Sequence, residues 1–459
     1  MVMLRLVRVL WGDLTRDELK KFGILSVAMM LIVGNYWMLR VTKDALFDVL
    51  VGFRQWQPVA KMISVLVMVV VVLGYSKLVD MLRRHHLIYL VCSFYGVTFI
   101  LLSYLATNPE LLAVSSTSLI YPLVSWIPSK IPGGGIGWFA YVFLESYGSL
   151  LIAVFYSFIA SVMTTGLAKK GYGMMMSITQ FGTLSGVLIS MFFVERVGIP
   201  MLYFFGGIVV LSAPFIIRYY ISQFPEDIAS TQEAVAGKKN KTGFFEGLRL
   251  IATRPYIMGV FVVVTAYEII STIVEYQMSW IAVGIYSPEQ FTVFRTYQGL
   301  GINLLALLFA IIGTSFFMRR LGLKFCLMAF PITIGVVVTA NYLVRLSGAG
   351  NTTLMWVLML ATVAIKGLNY ALNKPTSEVM YIPTSKDVKF KSKGWIDVFG
   401  NRSTKGVGAT VSKSLGHSLP VLLMYGTIIS LGIVGVWLLI AQFVGNKFNK
   451  LQEQDAIVE

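Results

Sequence analysis

The feature that most narrows the fold is the recurrence of apolar stretches of about twenty residues along nearly the whole chain. A helix of that length crosses the hydrocarbon core of a bilayer, where every backbone polar group must be satisfied within the segment. The clearest stretches are Phe22–Leu39, Val59–Tyr75, Leu87–Leu105, Met201–Ile217, Met258–Val274 and Val421–Phe443. More polar stretches near 138–164, 173–194, 297–317, 324–344, 354–373 and 394–418 bring the total to about twelve, the last being amphipathic. Composition agrees, since 56% of the 459 residues are hydrophobic and 13% charged, whereas soluble domains carry roughly a quarter charged residues. An all-α polytopic membrane protein follows.

The loops suggest an orientation. With a cytoplasmic N-terminus the loops after even-numbered spans face the cytoplasm and should collect Lys and Arg. They hold Lys77, Arg83 and Arg84, then Lys169 and Lys170, then Lys238, Lys239, Lys241, Arg249 and Arg254, then Arg319, Arg320 and Lys324, then Lys386, Lys389, Lys391 and Lys393. The opposite loops offer scattered singles such as Lys130, Arg196 and Arg345. Topology therefore accounts for most of the +16 net charge, and no nucleic-acid partner is called for. Residues 1–21 read as an amphipathic cytoplasmic lead-in, with Arg5, Arg8, Arg16, Lys20 and Lys21 among apolar residues. No cleavage site or transit peptide is evident, which favours a bacterial-type cytoplasmic membrane with both termini inside.

The longest polar stretch, 221–254, contains Pro225, Glu226, Asp227 and the basic run Gly237–Lys241. It divides the chain into an N-terminal half, 22–220, and a C-terminal half, 255–444, followed by a tail, 445–459. Two halves of about six helices joined by a cytoplasmic loop are the organisation of major-facilitator-type transporters, whose halves enclose a site near the bilayer midplane. The outer stretch 107–137, with Pro128, Pro132 and Gly133–Gly135, is a turn-rich cap with no chemistry of its own.

A charged side chain at the centre of a spanning helix costs about 2.5–3.5 kcal/mol on insertion scales, so one that persists faces a cavity or a partner. Lys43 and Asp44, with Arg40 a turn earlier, follow the first apolar stretch; position alone leaves open whether they snorkel to the outer interface or line a cavity. Glu145 lies among aromatic residues in the fourth span, where a cavity is favoured. Glu268 and Glu275 are seven residues apart on one face of the seventh. Arg402 and Lys405 sit beside Gly400, Gly406 and Gly408, small residues that allow close helix approach; an ordinary cytoplasmic loop is the competing reading. Cations and carboxylates shared between both halves suit a polyanion that must be bound and released, the lysines engaging phosphates and the carboxylates pairing with them in the empty state. Tyr141, Tyr147, Tyr267 and Tyr276 are available for stacking on a base, although packing is the commoner role.

At these residues the chain resembles the ATP:ADP antiporter family of nucleotide transporters of plastids and obligate intracellular bacteria, which is unrelated to the mitochondrial carriers. The resemblance runs from Leu10-Trp11 and Glu18–Lys21 through Asn35-Tyr36, Leu39-Arg40 and Thr42-Lys43-Asp44 with Leu46, then Glu145-Ser146-Tyr147-Gly148-Ser149, then Arg254, Pro255, Tyr256, Tyr267 and Glu275. It continues with Glu378, Tyr381-Ile382-Pro383, Lys393, Ile396-Asp397, Arg402 and Lys405 in the family's order. The resemblance implies major-facilitator-like architecture and exchange of ATP for ADP, or, in some members, broader nucleotide exchange or proton-driven import. It singles out Lys43, Glu145, Glu275 and Lys405 as the positions on which transport depends, with Arg40, Asp44, Tyr147, Tyr267, Glu268, Glu378 and Arg402 as secondary candidates. The chain departs from the family pattern at Lys374, where an acid is usual, and at Ser377 and Ser279, where lysines are; Glu268 has no acidic counterpart. These changes redistribute charge along the expected pathway and bear on the preferred phosphate number or counter-substrate.

Enzyme readings fare poorly. There is no GxxxxGK(S/T) loop, and His85, His86 and His417 have neither metal-ligand nor triad spacing. Cys92 and Cys326 stand without a ligand set, so neither a disulfide, a metal nor a cofactor is expected. Two other readings keep the membrane fold: a proton-coupled importer of another organic anion or nucleotide-like cofactor, and a scaffold or sensor that binds nucleotide without moving it. The sequence carries no signal for oligomeric state.

Overall fold

The computed structural model describes residues 15–108, 134–163, 165–227, 244–312, 314–454 and 456–458. The expectations that fell on residues 1–14, on most of the outer stretch 107–137 and on the Gly237–Lys241 run lie outside them. The described residues are helical apart from turns and one isolated parallel bridge, Thr384 with Val458. Nine helical stretches among them are long and apolar enough to cross a membrane. One of these, Gly171–Gln223, is 53 residues long and bends at Gly198, whose φ of 79° belongs to the left-handed region; its two arms are separate passages. The same device recurs at Gly322, φ 78°, between the arms of Thr314–Leu346. In each place glycine joins two helices with no loop, because it alone adopts that backbone freely.

By contacts the chain forms two compact units. Unit 1 comprises Met1–Gly52, Leu66–Lys239 and Pro288–Thr296; unit 2 comprises Phe53–Val65, Asn240–Ser287 and Tyr297–Glu459. Unit 1 is built from α1 (Arg16–Leu50), most of α2 (Phe53–Met81), α3 (Arg84–Thr107), α4 (Gly134–Val162), α5 (Thr165–Gln223) and the first turns of α8 (Pro288–Ile312). Helix α1 starts at a capping box, Thr15 accepting from the Glu18 amide while Glu18 accepts from the Thr15 amide, which ties up two of the orphan donors of a helix start. The last six residues of the lead-in are thus continuous with the first span. The helix also runs on to Leu50, so Lys43 and Asp44 lie inside it, buried in protein, and not at its outer end.

The principal contact in unit 1 is α1 against α5. Gly34 on α1 crosses the Gly182-Thr183-Leu184-Ser185-Gly186 segment of α5 so closely that a Cβ on Gly34 would lie 2.7 Å from the Gly182 carbonyl oxygen. A Cβ on Gly186 would meet the Gly34 carbonyl oxygen itself. This is the small-xxx-small contact that lets membrane helices gain dispersion energy where no hydrophobic effect drives association. Ser190 donates to the Met38 carbonyl at 2.7 Å along the same seam.

Unit 2 is organised around α7 (Pro255–Ala282), which packs on α10 (Asn351–Leu368), α13 (Asn401–Leu415) and α14 (Leu419–Glu453). Gln277 donates to the Leu422 carbonyl at 2.9 Å and Tyr256 to the Met380 carbonyl at 2.7 Å. The remaining elements are α6 (Phe244–Thr253), α9 (Thr314–Leu346), α11 (Lys374–Met380) and α12 (Lys386–Trp395). The helix α6 occupies part of what the sequence suggests is a central loop, and it lies against α12 through a Glu246–Lys391 pair at 2.7 Å. Two π-helical turns, Asn369–Asn373 and Ile396–Gly400, follow α10 and α12. The amphipathic stretch 394–418 is therefore helical through 415, widened at its start by a π turn, and Arg402 and Lys405 are on a helix rather than in a loop. Near the C-terminus the Val458 amide donates to the Pro383 carbonyl at 2.9 Å and the Ser385 amide to the Val458 carbonyl at 3.0 Å, strapping the tail to the α11–α12 connection.

Because the Gly186 Cβ position is already occupied by α1 backbone, Gly186→Leu is expected to lower stability by about 1–3 kcal/mol, read as a drop in the melting temperature of detergent-solubilised protein. Ser190→Ala, which removes one hydrogen bond on the same seam, should cost only about 1 kcal/mol.

Candidate functional site

Each unit carries its own string of charges inside apolar helices. In unit 1 the string starts at Lys43, whose ammonium pairs with Glu145 of α4 and lies 4.0 Å from the Tyr141 ring centre. Asp44 is 3.9 Å from Lys43 and 2.9 Å from the Arg295 guanidinium at the start of α8. Lys43, Asp44 and Arg295 are all nearly buried. The group alternates in sign, which is the arrangement that limits the desolvation cost of buried charge. Arg40 stacks its guanidinium over Trp37, 4.6 Å from the ring centre.

Tyr147 is fully buried; its hydroxyl donates to the Ile32 carbonyl at 2.8 Å and accepts from Asn35 at 3.3 Å. Its ring is packed edge-on against Tyr95 and Phe99. In this arrangement Tyr147 fixes α4 against α1 and does not present a face for stacking. Tyr141 is likewise buried, its ring under the Lys43 ammonium.

In unit 2 the two carboxylates of α7 have different partners. Glu275 is 2.7 Å from Lys366 of α10 and 3.7 Å from Lys61 of the first turns of α2. Glu268, two turns away, accepts from the Tyr267 hydroxyl at 2.5 Å and lies 3.5 Å from Lys405 of α13. Glu275 thus pairs with Lys366 and Lys405 with Glu268. Lys405 is held near α7 because its helix approaches closely: a Cβ on Gly408 would lie 2.9 Å from the Ile269 carbonyl oxygen. Gly400 performs the same service against Phe261, whereas Gly406 faces Val65.

Glu378 is exposed and pairs with Lys393 at 2.5 Å, and Lys374 lies over the Tyr370 ring at 4.9 Å. Tyr381 nearby is buried, and burial beside Asp397 and Glu378 holds its phenol well above the usual range, hence protonated. Arg402 is half-buried on α13. Of the departures from the family pattern, Ser279 is buried with its hydroxyl unpartnered among the described residues, and Ser377 donates to the Lys374 carbonyl. Both cysteines are buried free thiols, and no cluster of potential metal ligands occurs among the described residues.

Three cations were legible but not singled out by the sequence: Lys61, Arg295 and Lys366. Each is a lone cation within or beside an apolar helix, Lys366 in Ala361-Thr362-Val363-Ala364-Ile365-Lys366 and Lys61 in Pro58-Val59-Ala60-Lys61. The membrane-cost argument that selects Glu145 and Glu275 selects them equally.

Removing one partner of a largely buried ion pair leaves the other less well compensated, whereas removing both does not. Lys43→Gln and Glu145→Gln are therefore each expected to lower thermal stability in detergent more than the double substitution does, a positive coupling read from a double-mutant cycle.

Known proteins share both the sequence pattern and the fold. The family model described as "TLC ATP/ADP transporter" matches residues 3–448. The ADP,ATP carrier protein 1 of Rickettsia prowazekii (strain Madrid E) is 24% identical over 455 residues, covering 90% of this chain and 89% of the relative. That of Rickettsia bellii (strain RML369-C) is 25% identical over 451 residues, again covering 90% and 89%. Among solved structures, a bacterial homologue of the iron transporter ferroportin in its inward-facing state superposes with a TM-score of 0.61 at 15% identity, over 94% of this chain and 98% of that one. The xylose transporter XylE from E. coli gives 0.56 at 11% over 91% and 95%, and the nucleoside transporter NupG gives 0.51 at 13% over 95% and 100%. At such identities these structures speak to the fold, which is major-facilitator-like. The protein is a multi-pass membrane transporter, and the chain belongs to the TLC ATP/ADP transporter family.

Proposed function

We propose that this transporter moves nucleotides across a cytoplasmic membrane by alternating access, exchanging ATP and ADP or a broader set of nucleotides. The observation that carries the reading, within the family, is that Lys43 and Lys405 are each held by a carboxylate borne on an apolar helix. A phosphate can take the place of such a carboxylate, and the carboxylate can recapture the lysine when cargo leaves, so binding and release each exchange one ion pair for another. Lys43, Glu145, Glu275 and Lys405 are the residues assigned to transport, with Glu268 the carboxylate beside Lys405. The 22–220 and 255–444 halves would supply the two moving parts, with 221–254 between them and both termini in the cytoplasm, the orientation that the Lys and Arg distribution favours. The ADP,ATP carrier names of the Rickettsia relatives are in keeping with this cargo.

One observation supports a second reading, in which import is driven by protons. Glu268 is buried beside Lys405 and accepts from Tyr267, so protonating it would release a lysine. Uptake of labelled ATP and ADP into proteoliposomes decides between the two. Exchange is expected to require unlabelled nucleotide inside, to be insensitive to a collapsed pH gradient, and to fall at least tenfold in Glu275→Gln and Lys405→Ala. Uptake into empty vesicles that follows an inward proton gradient would favour the second reading. Retained binding with no counterflow under any gradient would make the protein a nucleotide sensor instead.

A further inference from the structure

Glu275 of α7 has two ammonium groups beside it, Lys366 at 2.7 Å and Lys61 at 3.7 Å. All three side chains are largely buried, with exposures of 15%, 14% and 13% for Lys366, Lys61 and Glu275. A carboxylate shared in this way can give up one lysine to an incoming anion and remain paired with the other. Cargo binding then strands no buried charge, which is the expense that otherwise opposes breaking an ion pair in a dry environment.

A second observation points to the same face. Ser271 and Ser279 stand four residues before and four after Glu275 on α7, both 1% exposed, and neither hydroxyl has a hydrogen-bond partner among the described residues. At roughly 100° per residue, positions 268, 271, 275 and 279 fall within about 80° of arc on the helix. A buried hydroxyl in a helix ordinarily bonds back to a carbonyl one turn earlier, as Thr265, Ser412 and Thr427 do here. Two that do not, on either side of a shared carboxylate, are spare donors on one stripe of an otherwise apolar helix.

We infer that Lys366 is a substrate-phosphate ligand of this transporter, stored on Glu275 until cargo arrives, with Lys61 retaining the carboxylate and the Ser271 and Ser279 hydroxyls completing the subsite. The inference rests on the nucleotide reading above and adds a binding site for phosphate to it. Lys366 is primary because it makes the shorter contact and comes from α10, whose last turn leads into the π-helical turn Asn369–Asn373. A π turn inside a helical run is a place where the backbone adjusts at small cost, and such turns recur at functional sites.

The test uses the full-length protein in nanodiscs, with thermal stabilisation by ATP, ADP, pyrophosphate, tripolyphosphate and adenosine as the readout. Wild type is expected to be stabilised by the phosphate-bearing probes. Lys366→Gln should weaken the response to ATP, ADP and tripolyphosphate at least tenfold while leaving that to adenosine unchanged, and Lys366→Arg should restore most of it. Ser279→Ala deletes a hydroxyl with no partner, so it should leave the unliganded melting temperature in place and weaken tripolyphosphate several-fold; this variant carries the test should Lys366→Gln not fold. If nucleotides stabilise Lys366→Gln and Ser279→Ala as they do wild type, the inference is overturned and the nucleotide reading stands. If none of the phosphate-bearing probes stabilises wild type, both fall.

Discussion

The structure depends on one requirement: a charge placed inside an apolar helix must find its counter-charge on a different helix. Lys43 of α1 finds Glu145 of α4, Asp44 finds Arg295 of α8, Glu275 of α7 finds Lys366 of α10 and Lys61 of α2, and Glu268 finds Lys405 of α13. Each pairing fixes the rotation of two helices about their axes, because a one-residue change of register would carry the charge about 100° away from its partner. Apolar packing in a bilayer does not discriminate between rotations in this way, since lipid tails are as good a solvent for leucine as another helix is. The ion pairs therefore specify the arrangement of helices and at the same time hold the groups that an anionic cargo would displace.

The glycines complement the charges. Ion pairs between side chains reach across gaps, but a carboxylate and an ammonium meet only when the helix axes are close: Gly148 of α4, whose Cβ position the Tyr36 ring of α1 already occupies, allows this in unit 1, and Gly408 against Ile269 does so in unit 2. Aromatic side chains then fill the space away from the crossings, as Tyr95, Phe99, Phe143 and Tyr147 do between α3 and α4. The same hydroxyl that ties Tyr147 to the Ile32 carbonyl holds the α1–α4 spacing on which the Lys43–Glu145 pair relies.

Much of this was legible in the sequence, and the reasons are unequal. Spans are legible because length and hydropathy follow directly from the thickness of a bilayer. Position left Lys43 and Asp44 open and the family resemblance singled out Lys43, whereas Glu145 and Glu275 were legible because intramembrane charge is costly. Who pairs with whom was not, because Lys405 lies 137 positions from Glu268 and nothing local distinguishes Glu268 from Glu275 as its partner. The same cost argument applies to Lys61, Lys366 and Arg295, but long cations near helix ends often snorkel, and it is the fold that shows these three paired with carboxylates inside protein. The Gly182–Gly186 spacing is a small-xxx-small pattern in the sequence, but that its partner is Gly34, 148 positions before Gly182, is set by the fold.

The two left-handed glycines have a consequence for motion. Gly198 and Gly322 share a backbone geometry, φ 79° with ψ 163° and φ 78° with ψ 163°, and each joins two helical arms without an intervening loop. A junction of one residue has no slack, so the two arms of α5, and likewise the two arms of α9, are coupled as the limbs of a bracket: tilting one drags the other.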